Sequence, residues 1–111
     1  MLPKANRLTK KKDFDTVFAG GKSAKGTFLI AKSLENSGNK SRFGFVVSKK
    51  VSPKATVRNK IRRQLRRAVA MHLAAMAKPH DVVIITLPPV AKKKFDEIVK
   101  EAAAVFKKLG A

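Results

Sequence analysis

Apolar residues recur at spacings of three and four near both ends of the chain, which predicts an amphipathic helix at each end. Phe14, Val17 and Phe18 share one face of the first helix. We expect Thr9 to cap its start and Gly20–Gly21 to end it. The apolar stripe of the closing helix consists of Phe95, Ile98, Val99, Ala102, Val105, Phe106 and Leu109.

Three segments carry strand patterns. Thr27–Leu34 is β-prone, and Arg42–Ser48 alternates large side chains with smaller ones. The polar residues of Glu35–Ser41 are typical of a hairpin loop between these two strands. In Asp81–Leu87 four apolar β-branched residues follow one another, which indicates a central strand covered on both faces and ended by Pro88–Pro89.

A helix is predicted between the second and third strands. Ser52 before Pro53 could cap a single helical turn, and Thr56 could cap a longer helix that runs to about Ala77. Its predicted core face consists of Ile61, Leu65, Ala68 and His72. The element order αββαβα predicts an α+β (α/β) two-layer sandwich, in which helices pack on a small mixed sheet and residues 1–111 form one RNA-binding domain.

The balance of charge indicates a polyanionic partner. Lysine and arginine number 26 against 7 acidic residues, which gives a net charge of +19 and an isoelectric point near 11.0. RNA, DNA and anionic membranes are the candidates. The sequence has no cysteine and no apolar run suited to a membrane span or a secretion signal, so we expect a cytoplasmic protein without a membrane partner.

The cations are concentrated on one face of the predicted second helix. Most charged helix faces are simply solvated, but such faces normally mix signs, and no acidic residue occurs between Arg42 and His80. The planar guanidinium fork suits paired phosphate oxygens and base stacking, which favours structured RNA. The candidate RNA-binding residues are Arg58, Asn59, Lys60, Arg62, Arg63, Arg66 and Arg67, extended by Lys49 and Lys50.

The same residues resemble a known family. The run Arg58–Arg67, preceded by Ser48–Val51, closely resembles the arginine-rich signature of the bacterial ribonuclease P protein component. Further matching segments are Asn6–Leu8, Asp13–Phe14, Val17–Phe18, Phe43–Phe45 and Asp81–Ile85, in the order of the family. The resemblance implies a left-handed βαβ crossover in a fold like domain 2 of ribosomal protein S5, although general rules favour a right-handed crossover.

The resemblance also implies a function. The chain would be the non-catalytic protein subunit of an endoribonuclease that removes the 5′ leader from precursor tRNA. Its partners would be the catalytic RNA and the leader, without an obligate protein partner. The RNA subunit would require Mg²⁺ for hydrolysis, whereas we expect no catalytic residue, cofactor or metal in the protein, whose two histidines lack a ligand pattern.

A cleft for the single-stranded leader follows from the same resemblance. Its residues would be Phe14, Phe18, Phe28, Val46 and Ser48. Aromatic rings stack on any base and so suit a leader of variable sequence. From spacing alone, Phe14 and Phe18 are more typical of core residues that anchor the first helix. Some relatives have an aromatic residue where this chain has Ala31, and Phe28 is a possible replacement for it.

Two other classes of protein share this size and charge. A protein nuclease would cleave precursor tRNA without an RNA subunit. A small ribosomal protein or RNA chaperone would bind RNA without promoting leader removal. Composition does not separate the ribosomal protein or RNA chaperone from the first interpretation, whereas the sequence shows no catalytic machinery that would favour a protein nuclease.

Overall fold

A mixed four-stranded sheet separates one short helix from two longer ones. The computed structural model describes residues 4–36, 38–72 and 78–109. The helices are α1 (Lys11–Gly20), α2 (Ala55–Ala70) and α3 (Phe95–Leu109), and the strands are β1 (Lys22–Lys25), β2 (Leu29–Glu35), β3 (Arg42–Val46) and β4 (His80–Thr86). Short 3₁₀ turns cover Lys4–Asn6 and Pro88–Lys92.

The sheet has the strand order β1-β2-β4-β3. β4 pairs antiparallel with β2 and parallel with β3, so its predicted central position is confirmed. Val82 and Ile84 face one core and Val83 the other, which explains the unbroken apolar run of this strand. The parallel pair is joined through α2, as a βαβ unit requires. The predicted α+β class, with helices packed on a small mixed sheet, is confirmed.

The predicted hairpin between the second and third strand patterns is wrong. β4 lies between β2 and β3, so the loop that begins at Asn36 joins strands that are not neighbours. β2 instead pairs with β1, which the sequence analysis missed. β1 is short, lies at the edge of the sheet and contains no β-branched or aromatic residue, so it lacks the pattern that identifies a buried strand.

Both predicted threonine caps are wrong. Lys10 and Lys54 occupy the N-cap positions, and neither makes a side-chain capping hydrogen bond. Thr56 lies inside the first turn of α2, which begins one residue before it. Ser52 forms a turn instead of a helix start, because its Oγ accepts a hydrogen bond from Lys54 N at 3.2 Å. The helix that was predicted to run to about Ala77 ends at Ala70, with Met71 at its C-cap position. Residues 73–77 lie outside the described residues.

Two apolar clusters hold the layers together. The larger joins the sheet to α2 and α3, with Phe43, Leu65 and Ile98 at its centre. The smaller lies beneath α1 on the opposite face, around Val17 and Val83. In the described part of the chain, no helix is long and apolar enough to cross a membrane.

Candidate RNA interface

The cationic face of α2 exists because a narrow apolar stripe is enough to anchor the helix. Ile61, Leu65, Ala68 and Val69 are buried against the sheet and α3, which confirms three of the four predicted core positions directly. His72, the fourth, is half-buried with its ring edge on Phe106 at 5.0 Å between centroids. The positions between the stripe residues are left at the surface, and most of them carry a positive charge.

Three arginines converge on a groove between α2 and the N-terminal segment. Its volume is about 230 Å³. The lining residues are Arg7, Leu8, Thr9, Phe14, Phe43, Phe45, Arg62 and Arg66. Burial lowers the pKa of the Arg66 guanidinium, and the neighbouring charges of Arg7 and Arg62 lower it further. Since none of the lining residues is acidic, an anion such as a phosphate would relieve this repulsion.

Arg7 is a member of this site that the sequence analysis missed. The N-terminal segment runs beside the outer edge of β3, where Arg7 forms a parallel bridge with Phe43. Leu8 N donates to Phe43 O at 2.8 Å, and Asn6 Nδ2 donates to Ser41 O at 2.7 Å. Asn6–Leu8 matched the family pattern, but a segment without apolar periodicity gave no indication that it lies beside α2.

The other predicted residues of α2 differ in how freely they can reach RNA. Lys60 and Arg63 are exposed. Arg62 Nη1 donates to Asn59 Oδ1 at 2.9 Å, so these two side chains are held beside each other. Arg67 is exposed, but its guanidinium carbon lies 4.8 Å from the centroid of the Phe95 ring of α3. Arg67 therefore also joins two helices.

Arg58 connects α2 to the loop that precedes it. Its Nη1 donates to Ser52 O at 2.9 Å, and the side chain is half-buried. Lys49 and Lys50 are exposed in the turn after β3, within the segment that this hydrogen bond ties to the helix. The predicted extension of the cationic surface by these two lysines is thus compatible with their positions.

On the opposite face of the sheet, α1 leaves part of the strands uncovered. Phe14 packs over Gly44 of β3, and Phe18 remains 40% exposed. The register places Ile30, Ile85 and Val46 side by side on β2, β4 and β3, and all three are half-buried. Ser48 is exposed beyond the end of β3. Four of the five predicted cleft residues, Phe14, Phe18, Val46 and Ser48, therefore lie on or beside this face.

Phe28 is the exception, because the structure does not bring it to this face. Its side chain is 4% exposed and belongs to the core cluster beneath α3. Ala31 is fully buried in the same cluster, so it could not present an aromatic ring to the cleft. Successive strand residues point to opposite faces, and the residues of β2 that face the cleft side are Ile30, Lys32 and Leu34.

A charged network fixes α1 to the sheet. Arg42 Nε and Nη2 donate to the two carboxylate oxygens of Asp81 at 2.9 and 2.7 Å. Its Nη1 reaches Asp13 of α1 at 3.4 Å. The hydrogen bond to Asp81 raises the pKa of the Arg42 guanidinium, with Asp13 contributing in the same direction. Asn36 Nδ2 also donates to Asp81, at 2.9 Å. Among the described residues, no group of three or more histidine, cysteine, aspartate or glutamate side chains could hold a metal ion.

Comparison with known proteins gives a consistent result. The profile of the family described as Ribonuclease P matches residues 2–110. The chain is 36% identical over 110 residues to the ribonuclease P protein component of Syntrophomonas wolfei, covering 99% of this chain and 92% of that protein. It is also similar to the Staphylococcus aureus RNase P protein, with a TM-score of 0.85, 27% identity and 95% of both chains covered. A mutant of that protein described as having defective mRNA degradation activity gives a TM-score of 0.86 at 26% identity, covering 95% of this chain and 88% of the mutant.

Proposed function

The chain belongs to the ribonuclease P protein family, and we propose that it is the non-catalytic protein subunit of the ribonucleoprotein that matures the 5′ ends of tRNA. In this proposal α2 binds the catalytic RNA and the uncovered sheet face binds the single-stranded leader of precursor tRNA. The RNA subunit carries out the hydrolysis and holds the Mg²⁺ that it requires. The protein acts in the cytoplasm, where tRNA is processed.

The observation that carries the proposal is the position of Phe14. Its ring lines the groove of Arg7, Arg62 and Arg66, and it also packs on Gly44 of β3, next to the uncovered part of the sheet face. A cationic surface for phosphates and an aromatic surface for bases are thus continuous. A substrate whose leader emerges from the catalytic RNA could pass from one to the other without leaving the protein.

Reconstitution with a bacterial ribonuclease P RNA tests the proposal. The protein should lower the Mg²⁺ concentration needed for cleavage and should tighten binding of leader-bearing tRNA relative to mature tRNA. A ribosomal protein or RNA chaperone would do neither, so the absence of both effects would reject the proposal.

The Arg62→Ala, Arg66→Ala double variant tests the role of the groove. It should bind the RNA subunit more weakly and with a shallower salt dependence, because two phosphate contacts are lost. Lys100→Ala with Lys107→Ala is the matched control, since it removes two exposed cations from α3 and leaves α2 intact. Equal losses in both double variants would indicate nonspecific attraction instead of a defined interface.

A second candidate function is cleavage of RNA by the protein alone. The observation that motivates it is the description of a Staphylococcus aureus RNase P protein mutant, similar in fold to this chain, as defective in mRNA degradation activity. The purified protein, without any RNA subunit, should then degrade mRNA or cleave precursor tRNA. If cleavage of both substrates depends entirely on added ribonuclease P RNA, this second candidate is rejected.

A further inference from the structure

The segment between β3 and α2 carries two exposed lysines that no nearby acidic residue neutralises. Lys49 and Lys50 lie in the turn that follows β3. No acidic residue occurs between Arg42 and His80, so the neighbours in sequence do not offset their charge. The turn leads directly into the N-terminus of α2, where the helix dipole also disfavours positive charge. Electrostatic repulsion alone would therefore move the two lysines away from α2.

Three contacts hold this segment against the repulsion. Thr86 Oγ1 of β4 donates a hydrogen bond to Val46 O, at the end of β3, at 2.8 Å. The side chain of Val51 is buried in the main core. Arg58 Nη1 donates to Ser52 O at 2.9 Å. The segment is thus fixed at its start by Thr86, in its middle by Val51 and near its end by Arg58.

The contact of Arg58 differs from the other two because it joins the segment to the cationic helix itself. Its half-buried side chain reaches back along the chain to Ser52, whereas Lys60 and Arg63 of the same helix are exposed. A hydrogen bond from a charged donor is stronger than one between neutral groups. Arg58 is therefore well suited to hold the turn at a fixed position beside α2.

We propose that Arg58 is a positioning residue: by holding Ser52 O it keeps Lys49 and Lys50 beside α2, and these two lysines contact phosphates of the catalytic RNA. This inference rests on the proposed function, because it assumes that α2 binds that RNA. It separates the roles of residues within one cationic sequence signature. The contribution of Arg58 to RNA binding is exerted through the two lysines and not through a phosphate contact of its own.

Loss of the tie should weaken RNA binding even though both lysines remain. A turn that moves freely must be ordered when its lysines meet the RNA, and this ordering costs binding free energy. Arg58→Met keeps the apolar stem and removes the hydrogen-bond donor. The variant should bind the RNA subunit roughly fivefold to tenfold more weakly than wild type.

A double-mutant cycle separates positioning from direct contact. In a protein that carries Lys49→Met and Lys50→Met, the further change Arg58→Met should weaken RNA binding by less than about twofold, because no lysine remains to be placed. A larger loss in that background would show direct contact and overturns the inference. The inference also fails if Arg58→Met alone, or the two lysine changes together, leave RNA binding unaffected.

Arg63→Met is the matched control on the same helix. Because Arg63 is exposed, its effect on RNA binding should be equal with and without Lys49 and Lys50. If the effect of Arg63→Met disappears in the lysine-free background as that of Arg58→Met does, the coupling is not specific to Arg58 and the inference is wrong.

A second variant preserves the tie and removes the charge. Arg58→citrulline, introduced by peptide ligation, retains planar N–H donors for Ser52 O but is uncharged. It should bind the RNA subunit with the salt dependence of wild type. If Arg58 contacted a phosphate directly, the slope of log affinity against log salt would instead fall by about one, and this result would overturn the inference.

Amide hydrogen exchange of the free protein gives a readout that does not involve RNA. Val51 N donates to Ser48 O at 3.0 Å within the turn. Arg58→Met should speed exchange at Val51 and leave exchange at Leu65, in the middle of α2, unchanged. Unaltered exchange at Val51 would show that Arg58 does not hold the turn.

The proposed function and this inference fail in different ways. The proposed function fails if the wild-type protein neither lowers the Mg²⁺ requirement of the RNA subunit nor favours leader-bearing tRNA. The inference alone fails if the wild-type protein does both and the effects of Arg58→Met and the lysine changes simply add.

Discussion

The ring of Phe14 lies so close to the backbone of Gly44 that a Cβ atom at this glycine would stand 2.6 Å from Phe14 Cε1. Only glycine permits this approach, because any other side chain would push the ring away from β3. Together with the ion pair of Arg42 and Asp13, this contact holds α1 close to β3.

Gly44→Ala should therefore destabilise the fold by about 1–3 kcal/mol, through overpacking against a ring that has little room to move. Urea denaturation measures the loss. Gly20→Ala is the control, because its Cβ would meet only Leu34 Cδ1 at 3.9 Å. At the last position of α1 that change should be neutral or should stabilise by up to about 1 kcal/mol. Equal destabilisation by both variants would show that the Phe14 contact is not responsible.

Arg63 and Arg67 should separate binding from stability. Arg63→Ala should weaken binding to the RNA subunit and reduce the slope of log affinity against log salt by about one, without changing the melting temperature. Arg67→Ala should also lower the melting temperature, because it removes the contact with Phe95 of α3. Salt-dependent filter binding and thermal denaturation measure the two effects. A melting temperature that Arg67→Ala leaves unchanged would speak against the helix-joining role.

Glu101 should be essential for the turn between β1 and β2. Its carboxylate accepts hydrogen bonds from the backbone N–H groups of Thr27, Phe28 and Leu29 at 2.9, 2.6 and 2.7 Å. Glu101→Gln places an amide donor among three donors, which should cost about 1–3 kcal/mol of unfolding free energy. Glu97→Gln is the control, since Glu97 accepts one backbone hydrogen bond and forms a surface ion pair with Lys93. Its effect should stay below about 1 kcal/mol, and a similar loss in both variants would refute the prediction.

His72 should make the fold sensitive to mild acid. Burial lowers the pKa of its imidazole, and Nε2 is buried without a hydrogen-bond partner among the described residues. The unfolded chain then binds a proton at a higher pH than the folded chain does. Stability should therefore fall as the pH drops through the unfolded pKa of about 6.5, until the lower folded pKa is passed.

Urea denaturation at about pH 7.5 and about pH 5.5 measures this dependence. His72→Leu should lose part of it, because no proton can be taken up at that position on unfolding. The wild-type protein, measured under the same two conditions, is the reference. An undiminished pH dependence in His72→Leu would show that other groups are responsible.

The sequence predicted those elements whose apolar residues follow a regular pattern along the chain. The apolar run Val82–Ile85 indicated a strand covered on both faces, and the spacing of Ile61 and Leu65 placed the core face of α2. β1 escaped prediction because an edge strand needs little apolar pattern. The hairpin was wrong because local turn chemistry does not reveal that a strand from much later in the chain inserts between its two partners.

The candidate site was predictable only where its residues share one helix. The cationic face of α2 follows from helical periodicity. Arg7 reaches it through pairing with Phe43, a contact across more than thirty residues that no local pattern encodes. Which side chains of β2 reach the cleft side, those of Ile30 and Lys32 but not that of Ala31, depends on the register of the strand, and a shift of one residue reverses every assignment.

The insertion of β4 between β2 and β3 also has a consequence for synthesis on the ribosome. Neither β2 nor β3 can complete its main-chain pairing until residues 80–86 have left the exit tunnel. The arginine-rich stretch of α2 emerges earlier, beside ribosomal RNA, when no complete sheet exists for it to pack on. Until β4 joins the sheet, the nascent chain therefore exposes a dense positive charge without the strand that β2 and β3 both require, and such incomplete intermediates are prone to misassembly.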